Sequence, residues 1–420
     1  MTNNSIKPIK REIYAKISAF LDTDDIIVLH GARQVGKTYL LYYLKQNLEE
    51  SGKTTLYMDL EDSRLRNILD LGVDEFLKYL KEENVYPGEH KNTKIFVLID
   101  EIQYLADPSS FLKLIADHHK EIKLIVSGSS SFAIKSKFKD SLVGRTANFE
   151  IFPLSFVEFL TFKNYQFSKE LLNGVNLTVK KTGELLAFYK EYVLYGGYPK
   201  IVLEPNLELK DKYLQQIIDT YIKKDIKDLA NIKEIDKFNK LVETLASQSG
   251  NLLDVTELSN TCKLAKQTVE NYLFILENTY IIKLVRPYYK NVRGELYKRP
   301  KIFLYDSGLM QMLWLKQLQK EVLGNVFETA IFSDLVKYFG KDNIYYWRTA
   351  DGKEIDFIFK LNNSIIPIKA KLNFEQFDGT AMDYFRNKYK NKAEFVVALT
   401  GDASRSEFKY PWILFDANHN

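Results

Sequence analysis

The chain has 420 residues and one cysteine, Cys262. That excludes an internal disulfide and any zinc cluster built on cysteine, and the place of Cys262 in an apolar helical pattern reads as a buried structural thiol. Histidine is scarce too. Of five, His30 closes an apolar run, His118 and His119 are adjacent, and none has metal-ligand spacing, so chemistry centred on histidine is set aside. No run approaches the roughly 18 apolar residues that a membrane helix needs, and "MTNNSIKPIKREI" lacks the apolar stretch of a secretion signal. The expectation is a cytoplasmic protein with no membrane contact. A strong overall charge is also missing, the net being +4, which by itself says nothing of nucleic acid. Within residues 283–301, however, seven basic residues (Lys283, Arg286, Lys290, Arg293, Lys298, Arg299 and Lys301) stand against Glu295, so this window carries +6 and the rest of the chain −2.

The length exceeds what one hydrophobic core supports, so about two to four domains are expected. In "DDIIVLHGARQVGKTYLLYYL" an apolar run from Ile26 to Leu29 leads into a loop and then a helical pattern starting near Lys37. Gly31, Ala32, Arg33, Gln34, Val35, Gly36, Lys37 and Thr38 have the spacing G-x-x-x-x-G-K-[ST], in the strand, loop and helix context that gives this motif its meaning. The glycines let backbone N–H groups curl around a phosphate at a helix N-terminus. Lys37 reaches the β- and γ-phosphates, and Thr38, followed by Tyr39, offers a hydroxyl to Mg2+. ATP and Mg2+ are the expected cofactors.

A second apolar run, "KIFVLIDEIQYL", ends in Asp100 and Glu101. An Asp at the carboxyl end of a buried parallel strand would hold Mg2+ and the adjacent Glu would orient or deprotonate the attacking water; the competing reading is an acid pair that caps a helix. "EIKLIVSGSSS" closes a third strand, where Ser127 or Ser129 is a candidate γ-phosphate sensor and a plain turn is the alternative. In "DSLVGRTANFEIF", Arg145 is a candidate arginine finger for its own site or a neighbour's, or else a solvated or carboxylate-paired surface arginine.

These motifs in this order, followed by "PLSFVEFL", resemble the AAA+-type P-loop ATPases of an uncharacterised bacterial and archaeal family. "YGGYPKIVL", "KRPKIFLYDSGL" and "YYWRTADGKEIDFIF" resemble the C-terminal region that accompanies that core. The resemblance covers nearly the whole chain and implies ATP hydrolysis, but it implies no biological role.

In "YGGYP", Gly196-Gly197 ends a helix and reads either as an interdomain elbow or as part of a lid near nucleotide. From Asp236 the pattern is that of a winged helix. Its last helix carries a core stripe of Val269, Leu273 and Leu276, with Lys266, Gln267, Glu270 and Asn271 at the exposed start. The basic loop that follows, with Lys290, Arg293, Lys298 and Arg299 and the interleaved Tyr288, Tyr289 and Tyr297, suits phosphate contact and stacking; protein docking is the rival use.

The C-terminal part of the resemblance implies a restriction-endonuclease-like (PD-(D/E)xK) core, with Glu328 as the helix acid, Asp356 as the strand acid, and Lys369-Ala370-Lys371 where Glu-x-Lys is usual. Lys369 therefore stands in the glutamate slot. At about 4 Å that turns roughly 4 kcal/mol of attraction per unit of metal charge into similar repulsion. Metal-dependent cleavage is not expected, and Glu328, Asp356, Lys369 and Lys371 read as a remnant. If Asn362 and Asn363 make a two-residue turn, Asp356 faces Lys369 and Glu354 faces Lys371.

The expected architecture is α/β: a P-loop NTPase (AAA+-like) core over residues 1–160, a helical connector over 161–235, a winged helix over 236–310 and a small nuclease-like domain over 311–420. The expected function is Mg2+-dependent ATP hydrolysis that drives conformational change on a macromolecular partner, with DNA first and a protein partner or a second copy as the other candidates. A nucleotide-gated scaffold with little turnover is the alternative of a different class, and residual nuclease activity is the third.

Overall fold

Uninterrupted apolar runs become the middle of a parallel sheet. In the computed structural model, β1 (Ile26–Gly31), β2 (Thr55–Asp59), β3 (Ile95–Asp100), β4 (Ile122–Gly128) and β5 (Thr146–Ile151) run in the order β2-β3-β4-β1-β5, every neighbouring pair parallel. All residues of β1, β3 and β4 are buried, as strands covered on both faces must be, whereas the edge strands β2 and β5 are partly open. The structure describes residues 8–86, 94–128, 142, 144–167, 177–226, 232–289, 299–361, 364–391 and 393–416. The chain divides into two units, Met1–Phe152 and Pro153–Asn420.

In the first unit the helices are α1 (Tyr14–Ser18), α2 (Lys37–Glu50), α3 (Ser63–Asp70), α4 (Val73–Glu82) and α5 (Pro108–His118). Val28, Val97, Ile99 and Val126 from the sheet meet Phe76, Leu80, Phe111, Leu112 and Ile115 from α4 and α5, each such side chain contributing about 1.5–3 kcal/mol on burial. Local chemistry sets the helix starts. Asp62 accepts from the Arg64 N–H ahead of α3, and Asp107 accepts from the Ser110 N–H ahead of α5, which opens on Pro108. Strand order matters for function, because the chain leaves β1 toward one sheet edge and β5 returns on the other. The crevice at the carboxyl ends of β1, β3 and β4 is where such sheets hold ligands.

The second unit takes in residues 153–160, which the sequence pattern had grouped with the core. Phe156 and Phe159 pack their rings on Tyr189 and Tyr192 of the Val179–Tyr195 helix. Three helices, Ile235–Ser247, Val255–Cys262 and Lys266–Asn278, then precede β6 (Ile282–Val285) and β7 (Lys301–Leu304), an antiparallel pair. Val269, Leu273 and Leu276 are buried, and Lys266, Gln267, Glu270 and Asn271 are exposed. Cys262 is buried beside Thr244, and burial pushes its thiol pKa up.

Gly196 and Gly197 form a joint fastened by Asp306. Asp306 is buried at the N-terminus of the Ser307–Leu315 helix, accepting from the Leu309 N–H at 2.8 Å and from the Gly197 N–H at 2.7 Å. Gly196 has φ +78, and a Cβ there would lie 2.2 Å from the Asp306 Oδ1 atom. "YGGYP" and "YDSGL" are thus two halves of one packed contact.

The last sheet is mixed, in the order β12-β11-β10-β9-β8, with β8 (Ile344–Arg348), β9 (Glu354–Leu361) and β10 (Ser364–Asn373) antiparallel in sequence and β11 (Phe395–Thr400) and β12 (Phe408–Lys409) added in parallel. The β9–β10 register pairs Leu361 with Ser364 and Phe357 with Ile368, which is the register a two-residue connection demands; Asn362 and Asn363 themselves lie outside the described residues. Among the described residues no helix is long and apolar enough to cross a membrane.

Candidate functional site

Gly31 ends β1 where the backbone of β5 comes close: a Cβ on it would lie 2.1 Å from the Ile151 carbonyl oxygen. The loop that follows contains two left-handed residues, Gln34 at φ 61 and Gly36 at φ 95, with Gly36 immediately before α2. That alternation turns successive N–H groups into one concavity, the anion-binding nest at a helix N-terminus. Lys37 opens the helix and is buried. Its Nζ donates to the carbonyls of Ala32 at 2.8 Å and Gly31 at 3.3 Å. Burial lowers its pKa, while the charges of Glu101 and Asp100 pull it back up. Tyr39 is exposed, its ring edge-on to that of Tyr42.

Asp100 ends β3 between its neighbours and gathers four donors. Thr38 Oγ1 donates to its Oδ2 at 2.5 Å, the Tyr57 hydroxyl of β2 donates to the same oxygen at 3.3 Å, the Glu101 N–H donates to Oδ1 at 3.1 Å, and the Ser127 hydroxyl of β4 donates to Oδ1 as well. Ser127 is fully buried beside Asp100; Ser129 lies outside the described residues. Glu101 adopts the left-handed conformation, φ 56 and ψ 46, an uncommon choice for a side chain with a Cβ that costs on the order of 1 kcal/mol or more and clusters at functional sites. Gln103 Nε2 donates to its Oε2. Burial raises the Glu101 pKa, against the pull of Lys37 and, less strongly, Arg33.

The residues from the phosphate loop, the β3 end and Ser127 therefore converge. Tyr57 and Gln103 join them without having been anticipated. Gln103 carried a signal, being two residues after the Glu; Tyr57 carried none, since only strand pairing puts β2 beside β3. Thr38 and Asp100 form a hydroxyl and carboxylate pair of the hard-oxygen type that Mg2+ accepts. Among the described residues no group of three or more His, Cys, Asp or Glu side chains suits a metal.

Of the uses open to Arg145, the structure disfavours a role in its own chain's site. Arg145 precedes β5 at the end opposite the loop: its carbonyl accepts from the Ile26 N–H, at the start of β1. Five residue steps along the strand separate Ile26 from Gly31, about 17 Å at ~3.3 Å per step. Arg145 Nε donates to Asp117 Oδ1 at 2.7 Å. The direction of β5, invisible in "LVGRT", takes Arg145 away from its own chain's phosphate loop.

The second unit holds a separate cluster of charges. Asp356 and Lys369 pair as the register requires, Lys369 Nζ donating to Asp356 Oδ1 at 2.8 Å, while the Ala370 N–H donates to Oδ2 at 2.8 Å. Glu354 does not pair with Lys371. Its carboxylate meets Lys301 Nζ of β7 at 2.5 Å and Arg348 Nη1 of β8 at 3.1 Å, because the β9–β10 ladder ends at Phe357 and Ile368 and these two strands supply its cations. Lys301, 2% exposed, also meets Glu328 Oε1 at 3.3 Å. Burial opposes its charge, but Glu328, Asp356 and Glu354 outweigh that and hold its pKa above the ordinary lysine value. Burial, then the charge of Asp356, pushes the Glu328 pKa up against the pull of Lys301.

These acids are already partnered: Lys369 pairs with Asp356, and Lys301 is the counterion of Glu328 and Glu354.

Lys301 belongs to the basic window yet is internal. In the same window Lys283 pairs with Glu277 at 3.0 Å, Arg299 pairs with Asp254 at 2.8 Å, and Tyr288 packs against Tyr345 and Tyr389. Arg286 is exposed. Lys290, Arg293, Tyr297 and Lys298 lie outside the described residues.

Residues 23–160 match the family described as AAA domain, residues 186–321 match a domain of unknown function (DUF8612), and residues 323–412 match another (DUF4143). An uncharacterized protein of Haemophilus influenzae is 27% identical over 370 residues, covering 86% of each chain. Uncharacterized protein MJ1544 of Methanocaldococcus jannaschii is 28% identical over 377 residues, covering 87% of this chain and 78% of that one. Among solved structures, the Walker-type ATPase PABY2304 of Pyrococcus abyssi aligns with 73% of this chain and 95% of its own, at 15% identity and a TM-score of 0.47. The AAA match supports nucleotide binding and hydrolysis by a P-loop ATPase core; the two C-terminal matches carry no activity.

Proposed function

We propose that the first unit binds ATP with Mg2+ and hydrolyses it, and that hydrolysis acts on a macromolecular partner, DNA in the first place. The observation that carries the nucleotide reading is the convergence, at the carboxyl ends of the central strands, of a left-handed N–H nest, Lys37, the Thr38–Asp100–Ser127 hydrogen bonds and Glu101. On binding, Lys37 exchanges the Ala32 and Gly31 carbonyls for phosphate oxygens. Thr38 and Asp100 would hold Mg2+, which when bound neutralises charge on the β- and γ-phosphate oxygens. Ser127 and Tyr57 keep the Asp100 carboxylate aimed. Glu101, made more basic by burial, takes the proton of the attacking water or orients it. Arg145, given its position, could serve only a neighbouring copy's site.

ATP turnover tests this. Lys37→Ala should lose binding, and Glu101→Gln should bind and lose hydrolysis, since Lys37 meets ground-state phosphates and Glu101 acts on the water alone. Equal turnover by wild type and Glu101→Gln removes Glu101 from the mechanism. Binding without turnover in wild type favours the scaffold reading. The DNA partner is supported by the exposed Lys266, Gln267, Asn271 and Arg286 and by the basic sequence of residues 290–298. We also read residues 236–310 as a winged helix and 311–420 as a nuclease-like domain without nuclease activity.

A further inference from the structure

Arg11 is far from the phosphate loop in sequence and directly against it in space. Its side chain is 6% exposed, Nη1 donates to the Val35 carbonyl at 2.9 Å, and Nη2 donates to the Phe152 carbonyl at 2.9 Å. Val35 is the residue between the two left-handed positions, Gln34 and Gly36. In a trans peptide the carbonyl oxygen and the following N–H point to opposite sides. Holding the Val35 carbonyl away from the concavity therefore turns the Gly36 N–H into it, where a phosphate oxygen would accept. The arginine is itself held in place: Tyr14, three residues on, sets its ring edge-on to Tyr43 of α2 at 5.1 Å, and Ile17 is completely buried. A planar fork with several donors can serve two carbonyls at once.

We infer that Arg11 is a positioning residue for the nucleotide, which fixes the Val35–Gly36 peptide in its anion-binding orientation before ligand arrives. This rests on the reading of the first unit as a nucleotide site. Loss of the fork leaves the peptide free to rotate, so the nest must be ordered at the expense of binding energy.

The test compares wild type, Arg11→Met, Arg11→Lys and Lys37→Ala by titration with a fluorescent, non-hydrolysable ATP analogue in Mg2+, alongside ATP turnover and thermal melting. Arg11→Met should raise Kd about tenfold, the equivalent of ~1.4 kcal/mol, with the loss falling on KM more than on kcat. Arg11→Lys, which can serve one carbonyl but not two in the same geometry, should fall between. Wild-type affinity in Arg11→Met, whatever its melting temperature, overturns the inference and leaves the nucleotide reading intact. No binding by wild type overturns both. If Arg11→Met fails to fold, Arg11→Lys decides, and affinity equal to wild type overturns the inference.

Discussion

Lys301 shows how far a residue's role can depart from its neighbourhood in sequence. It stands in the most basic stretch of the chain, yet it is buried against Glu328 and Glu354. Removing one partner of a buried ion pair leaves the other charges uncompensated, typically at about 3–5 kcal/mol. Lys301→Met should therefore lower the stability of the second unit by about 3 kcal/mol or more in urea unfolding, while Arg299→Gln, an exposed pair with Asp254, should change it little. Equal effects would show that Lys301 is not the counterion of these acids. A single Lys369→Glu change should likewise fail to create metal-dependent DNA cleavage, because Lys301 would remain among the carboxylates. Asp334 gives a prediction of a different kind. It is buried, accepts from the Tyr192 hydroxyl at 2.7 Å and the Tyr189 hydroxyl at 3.1 Å, and burial pushes its pKa up to about 6 against the pull of Lys337. The folded state then binds this proton more tightly than the unfolded state, so the contribution is fully present below about pH 4 and is lost as pH rises through about 6. At ~1.4 kcal/mol per pH unit that amounts to about 3 kcal/mol. Asp334→Asn should remove this fall from the stability profile between pH 4 and 6; an unchanged slope would refute the assignment.

At the scale of elements, what could be read from the sequence was what short range determines. The strand, loop and helix around Lys37 follow from contiguous residues, and so does the β9–β10 register, because a two-residue connection fixes every pair beyond it. That is why Asp356 and Lys369 could be matched in advance. Glu354 could not, since its partners lie on β7 and β8, the first of them 53 positions away in the chain. For a related reason the motif could not decide among the uses open to Arg145: it says which residues are adjacent and not which end of a strand they occupy. The double glycine was legible as a stop but not as a receptor for Asp306. Its close approach gives the test. Gly196→Ala forces a Cβ into the Asp306 carboxylate at a left-handed φ, and should destabilise by several kcal/mol. Gly183→Ala, inside the Val179–Tyr195 helix with nothing within 4 Å of the added Cβ, should be neutral or stabilising by up to about 1 kcal/mol. A Gly196→Ala protein as stable as wild type in thermal melting would mean the joint is looser than its contacts indicate.

For the whole molecule the open question is whether ATP turnover answers to DNA. The charge count of residues 283–301 overstates the available surface, because Lys283 and Arg299 are paired and Lys301 is internal. Arg286 is exposed, and the proposed DNA contact rests on it together with the charges of Lys290, Arg293 and Lys298, which lie outside the described residues. Each phosphate contact releases counterions, so each removed contact should reduce the slope of log affinity against log salt by about 0.9 on duplex DNA. Replacing Lys290, Arg293 and Lys298 by Gln should lower affinity and reduce the slope by up to about 3. Adding Arg299→Gln should change the slope little, because its charge is already partnered by Asp254. The same triple variant should keep its ATP turnover without DNA and lose any stimulation by DNA. Full salt dependence in the triple variant would instead move this region to protein docking, with the exposed Phe274 on the Lys266–Asn278 helix as the first side chain to truncate.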